Sequence, residues 1–342
     1  MSGSRNRIYR WDLDKTYLRT EFDTARDLIR TALEKPNRKL TVPGAAALLR
    51  ELRKTEPAGV YILSGSPEQM RSRLEQKLTL DGIQWDEFIL KPSLRKLLRG
   101  QIRFLRDQVS YKLGSLLRSR SNVDPETTEI LFGDDAEADA FVYSFYAEIV
   151  SGQVGEEEIL AVLEASRAYE DDIEQILESA AKIKTGEIVE RIFIHLDRVR
   201  PANSFESFGS RVCPFYNYLQ PALVLVEEGV LSAEAALNVG AAILQERGMS
   251  PEAMAASFDD LVRRGFVGRR AAERLLEAKE LELRAARVRR GIEELRAGVE
   301  ARLETLPTEL PTIRDEIDFP SLYLRDHAWA RMAKLRAQRR RR

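Results

Sequence analysis

The chain predicts an α/β fold: a parallel sheet with helices on both faces, followed by an all-helical extension. Three observations carry this. From residue 7 to residue 197, apolar runs of strand length alternate with helical patterns, the signature of β-α-β units. One run, Val60-Tyr-Ile-Leu63, is apolar without interruption, as in a strand buried on both faces. Past Pro201 the strands stop, and Tyr218 to Leu306 shows helical patterns only.

Composition narrows the class. The 342 residues are 44% hydrophobic and 32% charged, enough for one large domain or two modest ones. The net charge of -1 conceals a strongly basic segment, Arg331 to Arg342. A single cysteine, Cys213, excludes a disulfide framework, fits a reducing compartment and reads as a buried apolar residue. The polar start, Met1 to Arg7, lacks the apolar core of a signal peptide. No apolar run approaches the ~20 residues that cross a bilayer. A soluble cytoplasmic protein is expected. No repeat period is present.

In chain order, Ile8, Tyr9 and Trp11 form a short strand that ends in Asp12 and Asp14, with Thr16 beyond. Alternate strand residues share a face, so the loop that follows can turn both carboxylates toward one point. Phe22 to Leu33 has helical spacing, and Pro36-Asn37 breaks it. Pro43-Gly44 opens a helix over Ala45 to Lys54. The turn Pro57 to Gly59 leads into the Val60 strand, closed by Ser64-Gly-Ser-Pro67 and a helix from Glu68 to Leu78. Trp85 to Leu90 reads as a strand, Leu94 to Leu117 as a basic helix, and Glu129 to Gly133 as a strand capped by Asp134-Asp135. Phe141 to Val150 is helical. Acidic helices from Glu156 to Ile183 then precede a strand at Ile188 to Asp197, and read as an insertion. Gly268 to Glu304 reads as one long helix or a pair broken near Gly291. Asp318 to Tyr323 reads as a docking segment. The expected organisation is a core over 1–200 with an insertion at 155–185, a helical accessory region over 201–330, and a basic tail over 331–342.

Acidic residues at the carboxyl edge of a parallel sheet stand where such folds place their chemistry. Asp12, Asp14, Ser64, Lys112, Asp134 and Asp139 all fall at predicted strand ends or on the helices beside them. A carboxylate can act as the nucleophile in phosphoryl transfer. It then needs a cation such as Mg²⁺, donors for the phosphoryl oxygens, and an acid that later serves as base. Ser64 also reads as a helix N-cap, a role compatible with anion binding. Lys91 and Lys96 compete with Lys112. His195, in an apolar strand, reads as a hydrogen-bonded core histidine before a catalytic one.

This ordered set resembles the haloacid dehalogenase superfamily of phosphohydrolases, with a Rossmann-like core. Asp12-Leu-Asp14-Lys-Thr16 matches its first motif and the run ending at Ser64 its second. Lys112 matches the third, and Gly133-Asp134-Asp135-Ala-Glu-Ala-Asp139 the fourth. The resemblance implies Asp12 as nucleophile and Asp14 as general acid/base, with Thr16 fixing the loop. It implies Ser64 and Lys112, with Thr16, as the phosphate-binding residues. Mg²⁺ would be held by Asp12, the carbonyl of Asp14 and Asp134, with Asp139 in support. The intervals Thr16–Ser64 and Ser64–Lys112 are too short for a large cap, which implies an open site and a bulky phosphorylated substrate. More narrowly, the first motif, the Pro43-Gly44 helix start, the Leu63-Ser-Gly-Ser-Pro67 loop and Tyr111-Lys112 resemble the actin-patch type of phosphatidate phosphatase. Asp134-Asp135-Ala stands where that type has Asp-Ser-Gly. Alternatives are a phosphatase of proteins or soluble metabolites, and a phosphatase-like scaffold that binds without turnover. The basic segment, Arg339 to Arg342 above all, reads first as a solvated tail. Peripheral contact with an anionic membrane, at about 1 kcal/mol per basic residue, is the alternative; nucleic acid is not the expected partner.

Overall fold

The computed structural model describes residues 6–19, 39–91, 104–136, 138–197, 200–279, 285–310 and 317–326. The helix expected over Phe22 to Leu33, Lys96 and the basic segment from Arg331 lie outside the described residues.

Within them, one parallel sheet is built from β1 (Arg7–Asp12), β2 (Gly59–Pro67), β3 (Glu87–Lys91), β4 (Thr128–Asp134), β5 (Val189–His195) and β6 (Val212–Phe215). The order is β3-β2-β1-β4-β5-β6. The chain runs outward through β2 and β3, then returns to lay β4 against the other side of β1. Strand order reverses between β1 and β4, and the loops leaving these two strands diverge into a crevice at the carboxyl edge. The pairing of Trp11 with Phe132 brings Asp12 and Asp134 to that crevice together.

Between the strands lie α1 (Ala45–Arg53), α2 (Arg71–Leu80), α3 (Phe104–Arg120), α4 (Asp139–Ser151), α5 (Glu156–Ala165) and α6 (Glu170–Ala181). After β6 come α7 (Leu219–Glu227), α8 (Ala233–Gln245), α9 (Glu252–Arg263), α10 (Arg269–Glu277) and α11 (Ala286–Arg302). The two-residue period of the strands divides their side chains between two cores. Tyr9, Trp11, Ile62, Ile130, Phe132 and Phe193 face α1 and the helices from α7 to α11. Leu63, Leu131, Ile192 and Ile194 face α3 to α6. The C-terminal helices therefore share one face of the sheet with α1 and α2. Each large apolar side chain buried there contributes roughly 1.5–3 kcal/mol.

Three details differ from the sequence reading. The sheet continues past residue 200 into β6, whose Pro214 is tolerated because an edge strand has one unpaired side. α10 ends at Glu277 and α11 runs unbroken from Ala286 to Arg302, so no break falls near Gly291. Gly291 sits inside α11, where a Cβ would lie 2.4 Å from Leu244 Cδ1 and 2.9 Å from Met254 Sδ; its missing side chain permits a close helix crossing. The segment after Asp318 is itself helical over 319–326 and packs Phe319 and Tyr323 against Phe141. Cys213 is buried as expected, and burial pushes its thiol up to about 12.

Candidate active site

The site begins where β1 ends. Leu13 to Leu18 folds into a tight turn: the Tyr17 and Leu18 amides donate to the Leu13 carbonyl at 3.0 and 2.8 Å, and the Lys15 amide donates to the Leu18 carbonyl at 2.8 Å. Lys15 holds a left-handed φ of 61°, uncommon for a residue with a side chain. The turn leaves Asp12 buried at the strand tip and directs the Asp14 carboxylate toward β2. There Ser64 Oγ and Ser66 Oγ each donate to Asp14 Oδ2 at 2.9 Å, and the Ser66 amide donates to Ser64 Oγ at 3.0 Å. Ser64, expected at the phosphate, thus spends its hydroxyl hydrogen on Asp14. Thr16, expected to fix the loop, contributes its backbone: its carbonyl accepts the Tyr218 hydroxyl at 2.5 Å.

β4 brings the second half. Gly133 has no Cβ, and one built there would stand 2.6 Å from both Cβ and Oδ2 of Asp139. This absence lets the first residue of α4 close over the strand end, where Asp139 Oδ2 accepts the Asp134 amide at 3.2 Å. Asp134 Oδ1 accepts the Ala136 amide at 2.6 Å. From α3, Lys112 Nζ lies 3.1 Å from Asp12 Oδ1 and donates to Asp139 Oδ1 as well. Ligand oxygens of Asp12, Asp134 and Asp139 all lie within 4.8 Å of one another. Such a set of hard carboxylate oxygens fits a divalent cation. Among the four aspartates expected around a metal, these three converge through their side chains, whereas the Asp14 carboxylate is bound by the serines.

Asp12, Ser64, Lys112, Asp134 and Asp139 are fully buried. The described parts of the two motif intervals hold α1, β2, a short 3-10 turn at 68–70, α2, β3 and the start of α3. Asp135, next to Asp134, takes no part in the cluster; its Oδ2 accepts the Arg200 amide at 3.2 Å. Lys91 lies over the Tyr111 ring, 5.5 Å from its centroid, and Tyr111 donates to the Ser64 carbonyl at 3.2 Å.

His195 is the core histidine the strand pattern suggested. Its Nδ1 stands 2.8 Å from the Lys15 carbonyl. A carbonyl only accepts, so Nδ1 carries the hydrogen. Burial lowers the His195 pKa below its ordinary value, which favours the neutral ring. Burial, with Asp12 and Asp134 nearby, pushes the Tyr218 hydroxyl well up, and burial with Asp139 does the same to Tyr143. Both phenols remain neutral at neutral pH. Ser66 lay in the Leu63-Ser-Gly-Ser-Pro67 loop already singled out, though with no role assigned, while His195 and Tyr218 had no signal in the sequence that tied them to Asp12 and Asp14.

Fold and site together define a class: a parallel α/β domain with a buried, metal-competent acidic centre at its carboxyl edge. Residues 11–161 match the family model described as "Phosphatidate phosphatase APP1, catalytic domain". That stretch runs from Trp11 in β1 into α5 and contains Asp12, Asp14, Thr16, Ser64, Lys112, Asp134 and Asp139. The match bears out the resemblance read from the motifs and supports a phosphatase domain. No curated protein and no solved structure matches the chain. Among the described residues, no helix is long and apolar enough to cross a membrane.

Proposed function

We propose that the chain is a Mg²⁺-dependent phosphohydrolase that works through an aspartyl-phosphate on Asp12. The observation that carries this is the convergence of Asp12, Asp134 and Asp139 oxygens within 4.8 Å, with Lys112 bridging Asp12 and Asp139. Asp12, Asp134 and Asp139 would hold Mg²⁺, together with the Asp14 carbonyl that the resemblance implies. Bound there, Mg²⁺ offsets the negative charge of the phosphoryl oxygens.

The chain's own groups account for the rest. An Asp12 oxygen attacks phosphorus, and the bond from phosphorus to the ester oxygen breaks. Asp14 gives its proton to the departing oxygen. Its Oδ2 already accepts two serine hydroxyls, so the proton belongs on Oδ1. Asp14 then takes a proton from water as that water's oxygen attacks phosphorus. The bond to Asp12 breaks, inorganic phosphate departs and the carboxylate is restored. Lys112 offers its ammonium to the charge that develops on the phosphoryl oxygens, and Ser64 borders the same space.

The matching family takes its name from phosphatidate, whose headgroup is a terminal phosphomonoester. We take it as the first substrate class, with the basic segment from Arg331 supplying peripheral contact to an anionic surface in the cytoplasm. The test is phosphate release from phosphatidate vesicles and from a soluble aryl phosphate, with and without Mg²⁺. Release from both supports the full reading. Release from the soluble ester alone removes the lipid. Equal trace release by wild type and Asp12→Asn on both removes the phosphatase.

A further inference from the structure

The loop that carries Asp12 and Asp14 is held from outside at two successive carbonyls. Tyr218 donates its hydroxyl to the Thr16 carbonyl at 2.5 Å, and His195 donates Nδ1–H to the Lys15 carbonyl at 2.8 Å. The two side chains support each other. The Tyr218 ring stacks on Trp11 and on His195, each at 5.9 Å between centroids. Phe215 closes against both, at 4.9 and 5.3 Å. His195 ends β5, and Tyr218 immediately precedes α7, so neither belongs to the motif-bearing strands. Both lie outside the stretch 11–161 that matches the phosphatase family.

We propose that His195 and Tyr218 are positioning residues, a two-point clasp through which the C-terminal half fixes the catalytic loop. The loop needs such a clasp. Its turn places Lys15 at a left-handed φ that a non-glycine residue does not favour. Its internal bonds use the Leu13 and Leu18 carbonyls, the serines hold the Asp14 carboxylate and the Val42 amide holds the Tyr17 carbonyl. His195 and Tyr218 supply the bonds to the Lys15 and Thr16 carbonyls. A carbonyl caught by a buried donor cannot rotate without losing that bond. Capturing the carbonyls of Lys15 and Thr16 therefore fixes the Lys15–Thr16 and Thr16–Tyr17 peptide planes, the second and third after Asp14. The Asp14 carboxylate is then aimed at the ester oxygen before substrate arrives, and no contact with substrate is needed from either side chain.

This inference rests on the phosphatase reading for its kinetic consequence, but the clasp has its own readout. Tyr218→Phe keeps the stacked ring and removes only the hydroxyl. His195→Phe keeps a ring without the donor, and His195→Asn restores a donor near the Nδ1 position. Amide hydrogen exchange of the peptide covering residues 12–18 is measured for each, alongside kcat, KM and melting temperature. Exchange at that peptide should rise at least tenfold in Tyr218→Phe and His195→Phe. In both, kcat should fall at least tenfold with KM within about twofold, and His195→Asn should recover at least fivefold over His195→Phe. Should either phenylalanine variant fail to fold, the other decides. Unchanged loop exchange in a folded variant would overturn the clasp. Faster exchange with unchanged kcat would overturn the positioning role. Faster exchange in a protein whose wild type has no phosphatase activity would leave the clasp standing and remove the phosphatase reading instead.

Discussion

Lys112 Nζ stands 3.1 Å from Asp12 Oδ1, a contact between α3 and the tip of β1 across 100 positions of sequence. Both groups are fully buried, and the same ammonium is bound by Asp139. Lys112→Met should therefore lower kcat by about 10²-fold or more, the scale of removing one donor from developing negative charge. It should also destabilise the protein, because buried carboxylates lose their cation. Steady-state kinetics and thermal unfolding of one preparation check both effects.

Ser64 and Ser66 both serve Asp14 Oδ2, but only Ser64 carries the motif that implies a phosphate contact. Ser66→Ala should cut kcat about tenfold to a hundredfold with little change in KM, since a hydrogen bond to a charged group is worth about 1.5–3 kcal/mol. Ser64→Ala should lower kcat similarly and raise KM as well. Equal KM values in the two variants would confine Ser64 to Asp14.

Gly133→Ala inserts a methyl group 2.6 Å from the Asp139 side chain. Something must shift, and the movable element is the start of α4. The expected result is weaker Mg²⁺ binding by calorimetry and a kcat at least tenfold lower, while the circular dichroism spectrum stays close to wild type.

Arg10 and Glu129 form a buried pair on the α3–α4 face of the sheet, away from the reacting groups. Arg10 Nε and Nη2 each donate to a Glu129 oxygen at 2.8 Å, and the Tyr146 hydroxyl donates at 2.8 Å. Burial pushes Glu129 up, but Arg10 first, then Arg120 and Tyr146, hold it below the ordinary 4.5. A carboxyl depressed in the folded state stabilises fully above that ordinary value, and the stabilisation is lost as pH falls through the folded value. Glu129→Gln should cost about 3–5 kcal/mol at pH 7, because a buried arginine loses its charge partner. Below about pH 4.5 the gap between variant and wild type should narrow. Chemical denaturation at pH 7 and pH 4 measures both.

Much of this was legible in the sequence, where the signals are local. A strand ending in Asp-x-Asp, an uninterrupted apolar strand ending in Ser64, and Asp134 closing a third strand each show within ten residues of chain. The parallel order of strands followed from the same alternation. What escaped depends on distance. Tyr218 lies 202 positions from Thr16 and His195 lies 180 from Lys15, so no pattern ties them to the loop. β6 is four residues long and contains a proline, too little for a two-residue period to register. Gly291 resembled a helix break because its packing reason, the approach of Leu244 and Met254, exists only in three dimensions.

Trapping the intermediate tests the central claim most directly. The protein is mixed with Mg²⁺ and excess aryl phosphate, quenched in acid during turnover, digested and analysed by mass spectrometry. The account predicts one added phosphoryl group on the peptide containing Asp12, labile to hydroxylamine and missing from Asp12→Asn, which should also have lost Mg²⁺-dependent phosphate release. Phosphate release by Asp12→Asn at the wild-type rate would contradict it.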